Sequence, residues 1–102
     1  MLEVVREHLP AVQALCRRYR VEQMDLFGSA VKGTFDPGKS DLDFLVAFER
    51  KPNDNAAVHY FDLLLALEDL FGRKVDLVDV RAARNPYFVA EILKHRVNVY
   101  AA

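Results

Sequence analysis

Residues 26–46, LFGSAVKGTFDPGKSDLDFLV, decide the fold. They open on the end of an alternating segment, Val21 to Phe27, that reads as a strand and stops at Gly28-Ser29. Between Ser29 and Thr34 there is room for two helical turns at most, and Asp36-Pro37-Gly38 then signals a turn. Leu42 to Phe48 follows as an almost unbroken apolar run, the pattern of a strand covered on both faces.

Outward from this stretch, the chain alternates helices and strands. Leu2, Val5, Leu9, Val12, Cys16 and Tyr19 recur at helical steps. Pro10 interrupts them, which predicts a kink, or a short turn before a helix that starts near Pro10. On the other side, Pro52-Asn53-Asp54-Asn55 reads as a polar loop. A helix is expected from about Ala56 to Phe71, with Val58, Phe61, Leu64, Leu65 and Leu67 inward and Gly72 as its stop. Lys74 to Val80 reads as a strand and Pro86 to Lys94 as a helix with proline in its first turn. Val97 to Tyr100 fits either a short closing strand or an extended tail. The order implies an α/β layer arrangement.

Composition bounds the function. The length of 102 residues suits one domain, residues 1–102, and 52% hydrophobic residues suffice for its core. A formal net charge of -1 argues against a dedicated nucleic-acid binder, which carries a basic excess. No apolar run approaches the roughly 20 residues that span a bilayer, and no leader pattern opens the chain. Cys16 stands alone among apolar residues at helical spacing, as expected of a small core residue in a reduced, cytoplasmic protein.

The chemistry begins at Asp41-Leu42-Asp43. Residues two apart on a strand share a face, so both carboxylates project side by side. Two such acids at the head of an apolar strand are costly unless neutralised, and Mg²⁺ with substrate phosphates does this. The competing reading is a pair of turn-capping, solvated aspartates. Gly28-Ser29 lies at a strand-to-helix junction, where free N–H groups and the helix dipole favour an anion. Taken alone it is equally a helix cap. Asp76, an acid inside the apolar strand KVDLVDV, stands about 5 Å from the pair if the two strands are neighbours. Three carboxylates can hold two metal ions that clamp an in-line phosphoryl displacement, and the third can accept the attacking hydroxyl's proton. Asp79 points to the opposite face of a regular strand and fits a strand-end turn.

These residues resemble the signature of the DNA polymerase β-like nucleotidyltransferase superfamily in its minimal form. Gly28, Ser29, Asp41, Asp43 and Asp76 correspond to it position by position, and LFGS, SDLDFLV, KVDLVDV and RNPYF flank them similarly. Within it the chain is similar to the MNT antitoxins, partners of HEPN-domain RNase toxins. The resemblance implies a small mixed sheet flanked by helices, with catalytic and metal-binding roles for Asp41, Asp43 and Asp76. It also implies transfer of AMP from ATP, with Mg²⁺ (two ions), to a tyrosine of the toxin, which silences it. One departure is the spacer of eleven residues between Ser29 and Asp41, where ten is usual; the turn at Asp36–Lys39 absorbs it.

Other residues stay open at this level. Lys32, one turn after Ser29, is placed to reach a triphosphate, as the family's basic residue here does. Ser40 either bonds a phosphate or steadies the turn, and Arg81 and Arg84 fit surface, toxin or nucleotide contacts. His8, His59 and His95 show no metal spacing; Phe27, Phe44, Phe48, Phe61 and Phe71 fit core positions. The leading expectation is a protein adenylyltransferase whose partners are ATP and a HEPN toxin, without direct nucleic-acid or membrane binding and as a homo- or hetero-oligomer. The alternatives are a module that neutralises its partner by contact alone, and nucleotidyl transfer to a small-molecule hydroxyl.

Overall fold

A computed structural model describes residues 2–50 and 55–102. The first helical segment breaks at His8 into α1 (Glu3–Glu7) and α2 (Leu9–Arg18), with Pro10 in the first turn of α2 where its missing N–H costs nothing. β1 (Val21–Phe27) leads through Gly28 into α3 (Ser29–Lys32), and β2 (Leu42–Phe48) follows the turn. α4 (Ala56–Phe71) starts at Asn55, whose side chain accepts from the Val58 N–H, and ends at Gly72 in the left-handed region. β3 (Val75–Asp79), α5 (Pro86–Lys94) and β4 (Val97–Ala101) complete the order. The Asn85 side chain caps α5 by accepting from the Tyr87 and Phe88 N–H groups. The last segment is therefore a strand. Of the loop expected at 52–55, residues 52–54 lie outside the described residues.

The strands form one mixed sheet in the order β3-β2-β1-β4. β1 runs antiparallel to both β2 and β4, and β2 runs parallel to β3. Alternation along β2 divides the core. Leu42, Phe44, Val46 and Phe48 pack with Val5, Val12 and Cys16 of α1 and α2 and with Leu63 and Leu67 of α4. Leu45 points the other way, to a smaller cluster with Phe27 and Ile92 of α5. Covering β2 on both faces explains its apolar run, which Asp43 alone interrupts.

One expectation is corrected. Val58, Phe61 and Leu65 are 50%, 60% and 64% exposed, while Leu63 and Leu67 are fully buried. α4 is apolar on nearly every side, so periodicity could not set its rotation. Two polar tethers set it instead: Tyr60 donates its hydroxyl to the Leu77 carbonyl at 2.6 Å, and the Glu68 carboxylate accepts the Val75 N–H at 3.2 Å. Val75 and Leu77 turn these groups away from β2, which pairs through the alternate residues Lys74 and Val80. The free edge of the sheet is thus partly capped by α4 side chains. Phe71, by contrast, does pack against the main core.

A buried acid was not anticipated. Asp25 is 2% exposed on β1 and accepts from Gln23, Arg96 and Asn98, which joins β4 and the end of α5 to β1. Arg81 donates to the Phe48 carbonyl and pairs with Glu22 at 3.4 Å, so it ties the end of β3 to the neighbouring strands; Arg84 is exposed.

Candidate active site

The end of β1 and the start of β2, the two central strands, meet at one end of the sheet, where Phe27 pairs with Asp43. Gly28 takes φ 72° and ψ -147°, a conformation close to glycine's own territory. Space requires glycine as well: a β-carbon there would lie 2.2 Å from Oδ2 of Asp43. From Gly28 the chain enters α3, with the Val31 and Lys32 N–H groups bonded to the Gly28 carbonyl. The Ser29 and Ala30 N–H groups precede any intrahelical acceptor.

Asp43 stands opposite Asp76 in the parallel β2–β3 register, as expected if the strands were neighbours. Burial first, then the Asp76 and Asp41 carboxylates, push the Asp43 carboxyl up to about 6. Burial is the larger cause and the crowding of three negative charges the smaller, and a cation bound there would relieve the crowding. Asp41 comes just before β2 and lies 3.9 Å from the Lys74 ammonium, while Asp76 is exposed on the edge strand. Among the described residues, no three His, Cys, Asp or Glu side chains are already gathered as a metal cage. The arrangement is a close pair, Asp43 and Asp76, with Asp41 at its rim. Mg²⁺ commonly takes one or two protein carboxylates and completes its shell with substrate phosphates and water, so the donor set fits it.

The remaining expected residues separate. Lys32 is exposed and lines a cleft of about 120 Å³ with Phe27, Gly28, Phe88, Glu91 and His95. The Ser40 hydroxyl accepts from the Asp36 N–H at 2.9 Å, and its carbonyl accepts from Arg73 at 3.4 Å. Ser40 therefore steadies the turn in this structure. Asp79 accepts from the Arg81 N–H, the expected strand-end turn, and faces the groove beside Tyr60. Burial, then Asp76 and Asp79, push the Tyr60 phenol up. Lys74, Arg73, Tyr60 and Glu68 were not singled out from sequence; a signal for the first two existed in their place at the head of the strand carrying Asp76.

Comparison with known proteins bears on this arrangement. A family model described as the nucleotidyltransferase domain matches residues 11–99. The chain belongs to the nucleotidyltransferase family. This nucleotidyltransferase is 36% identical over 90 residues to a protein of Methanocaldococcus jannaschii named "putative protein adenylyltransferase", covering 88% of this chain and 85% of that one. A solved "putative minimal nucleotidyltransferase" superposes with a TM-score of 0.79 at 35% identity, over 94% of this chain and 93% of that one. The fold is also shared, at TM-score 0.67 and 18% identity, with a chain of the complex between a tri-AMPylated Shewanella oneidensis HEPN toxin and an MNT antitoxin. That likeness covers 95% of this chain and 72% of the other. The mixed sheet flanked by helices and the nucleotidyltransferase assignment agree with the sequence reading. No helix among the described residues is long and apolar enough to cross a membrane.

Proposed function

We propose that this nucleotidyltransferase transfers AMP from Mg-ATP to a tyrosine hydroxyl of a HEPN-domain RNase toxin and thereby neutralises it. The observation that carries the reading is the Asp43–Asp76 register pair with Gly28 against Asp43, which sets two carboxylates beside a glycine turn at a helix start. Backbone N–H groups of Ser29 and Ala30 and the Lys32 ammonium hold the terminal phosphates. Asp43, with Asp41 and Asp76, holds the divalent ion, which when bound neutralises charge on the phosphates. Asp76 takes the proton as the tyrosine oxygen bonds to the α-phosphorus and the bond to pyrophosphate breaks. The products are tyrosine-linked AMP and pyrophosphate. The names of relatives and the AMPylated toxin in a structure of the same fold support the acceptor class.

The test is intact-mass analysis of the product of the neighbouring gene after incubation with this chain and Mg-ATP. Increments of one AMP each on tyrosine are expected, and Asp43→Asn abolishes them. Undiminished transfer by Asp41→Asn and Asp43→Asn would overturn the site. Full protection of cells by those variants would make the chain a contact inhibitor instead.

A further inference from the structure

The outer side of α4 is not a solvated helix face. Val58, Phe61 and Leu65 are spaced by three and four residues, so they form one line opposite Leu63 and Leu67, and each is at least half exposed. A groove runs on either side of this ridge. One, of about 360 Å³, lies between Phe61 and the turn after β3, with Ala57, Asp79 and Ala82 in its wall. The other, of about 370 Å³, separates α4 from α2, with Ala14, Ala66 and Asp69. Alanine at these places lets a further helix approach closely. Three large apolar residues between two shallow apolar grooves make a patch, where a scattered leucine would need no account.

Charge indicates what covers it. α4 carries Asp62, Glu68 and Asp69 and neither lysine nor arginine. Glu68 turns inward to the Val75 N–H, which leaves Asp62 and Asp69 beside the ridge and Asp79 in the first groove. The arginines flanking the helix layer are directed elsewhere: Arg18 lies over the Tyr19 ring, and Arg73 over the Phe35 ring. A second copy docked about a two-fold axis would set this acidic rim against itself.

We propose that this face receives a helix of the protein acceptor, with apolar side chains at i, i+3 or i+4 and i+7 and lysine or arginine beside them. The proposal rests on the reading that the acceptor is a protein and adds where and by what chemistry it is held. α4 is tethered along the edge strand that carries Asp76. From Asp79, at the first groove, Asp76 is three residues away, about 10 Å along the strand. Asp76 alternates away from the α4 side, so a partner seated on the ridge passes its acceptor segment round the edge strand to bring a hydroxyl to that carboxylate.

The test uses as its probe the purified acceptor protein that intact-mass analysis identifies. Its binding is titrated against the wild-type chain, Phe61→Ser, the pair Asp62→Lys and Asp69→Lys, and Asp43→Asn. Phe61→Ser is expected to weaken binding about tenfold or more. The double charge reversal slows association and flattens its salt dependence. Asp43→Asn binds like the wild type, and Phe61→Ser keeps wild-type affinity for a non-hydrolysable ATP analogue, which shows its fold and site to be intact. Wild-type binding by both surface variants, or no binding by the wild type, overturns the proposal. So does a dimer of the chain alone that Phe61→Ser dissolves, which assigns the face to a second copy. Binding that depends on the ridge, with AMP on a residue other than tyrosine, refutes the tyrosine acceptor and leaves the docking face standing.

Discussion

Asp43 rests its carboxylate against the bare α-carbon of Gly28: a β-carbon there would lie 2.2 Å from Oδ2 and 3.0 Å from the carboxyl carbon. The turn at Gly28 and the Asp43 acid are thus one packing unit. Gly28→Ala must both strain a positive-φ backbone and displace the carboxylate. We expect a stability loss of roughly 1–3 kcal/mol from strain and about a hundredfold loss of nucleotidyl transfer from the displaced acid. Urea denaturation and a transfer assay on the same preparation check both; near-wild-type transfer would show that the contact is unimportant.

The raised Asp43 carboxyl has a stability consequence. Its ordinary value of 3.8 rises to about 6 in the fold, so between these values the folded chain holds a proton that the unfolded chain has released. This group therefore favours the fold most below about pH 4. That contribution is lost as the pH rises through about 6. Asp43 is only partly buried, so screening reduces the effect to about 1 kcal/mol. Asp43→Asn should be more stable than the wild type by that amount at pH 7.5 and equal to it near pH 3.5, measured by urea denaturation.

Under the proposed function the same proton competes with the divalent ion. Below about 6, the ligand-free site holds Asp43 protonated. Each further pH unit downward should lower apparent Mg²⁺ or Mn²⁺ affinity by up to about tenfold. Calorimetric titration at pH 5, 6 and 7.5 reads this, and a pH-independent affinity would remove Asp43 from the ligand set.

Tyr60 holds the edge strand from outside. Tyr60→Phe removes its bond to the Leu77 carbonyl and should cost about 1 kcal/mol. Because β3 has a strand partner on one side alone, the loss should appear as faster amide exchange in residues 75–79 than in β1. Equal acceleration in both strands would mean that the tether is not local.

Arg96→Met leaves Asp25 buried with the neutral donors Gln23 and Asn98. Breaking a buried pair from one side is costly, and since Arg96 is partly exposed we expect roughly 2 kcal/mol. Adding Asp25→Asn should recover part of the loss, measured as coupling in a double-mutant cycle.

Much of this was legible in the chain because it depends on local chemistry. The nearly unbroken run Leu42–Phe48 read as a strand covered on both faces, and Pro10 announced either a kink or a helix start, of which the structure has the second. Gly28-Ser29 and Asp41-x-Asp43 announced themselves by residue type and spacing. Asp76 was legible only conditionally, since its use depended on which strand lay beside β2.

By itself, then, the sequence determined most of the order of elements, up to the closing segment, and the candidate residues of the site, which follow from backbone preferences and periodicity over a few residues. The tertiary structure alone decided the parallel β2–β3 pairing that sets Asp76 across from Asp43, and the contact that makes Gly28 obligatory. It also decided the burial of Asp25 and the rotation of α4. These are long-range relations: a helix apolar on every side has no preferred face until distant polar groups fix one. In α4 the Tyr60 and Glu68 tethers turned Phe61 outward, against its reading as a core residue.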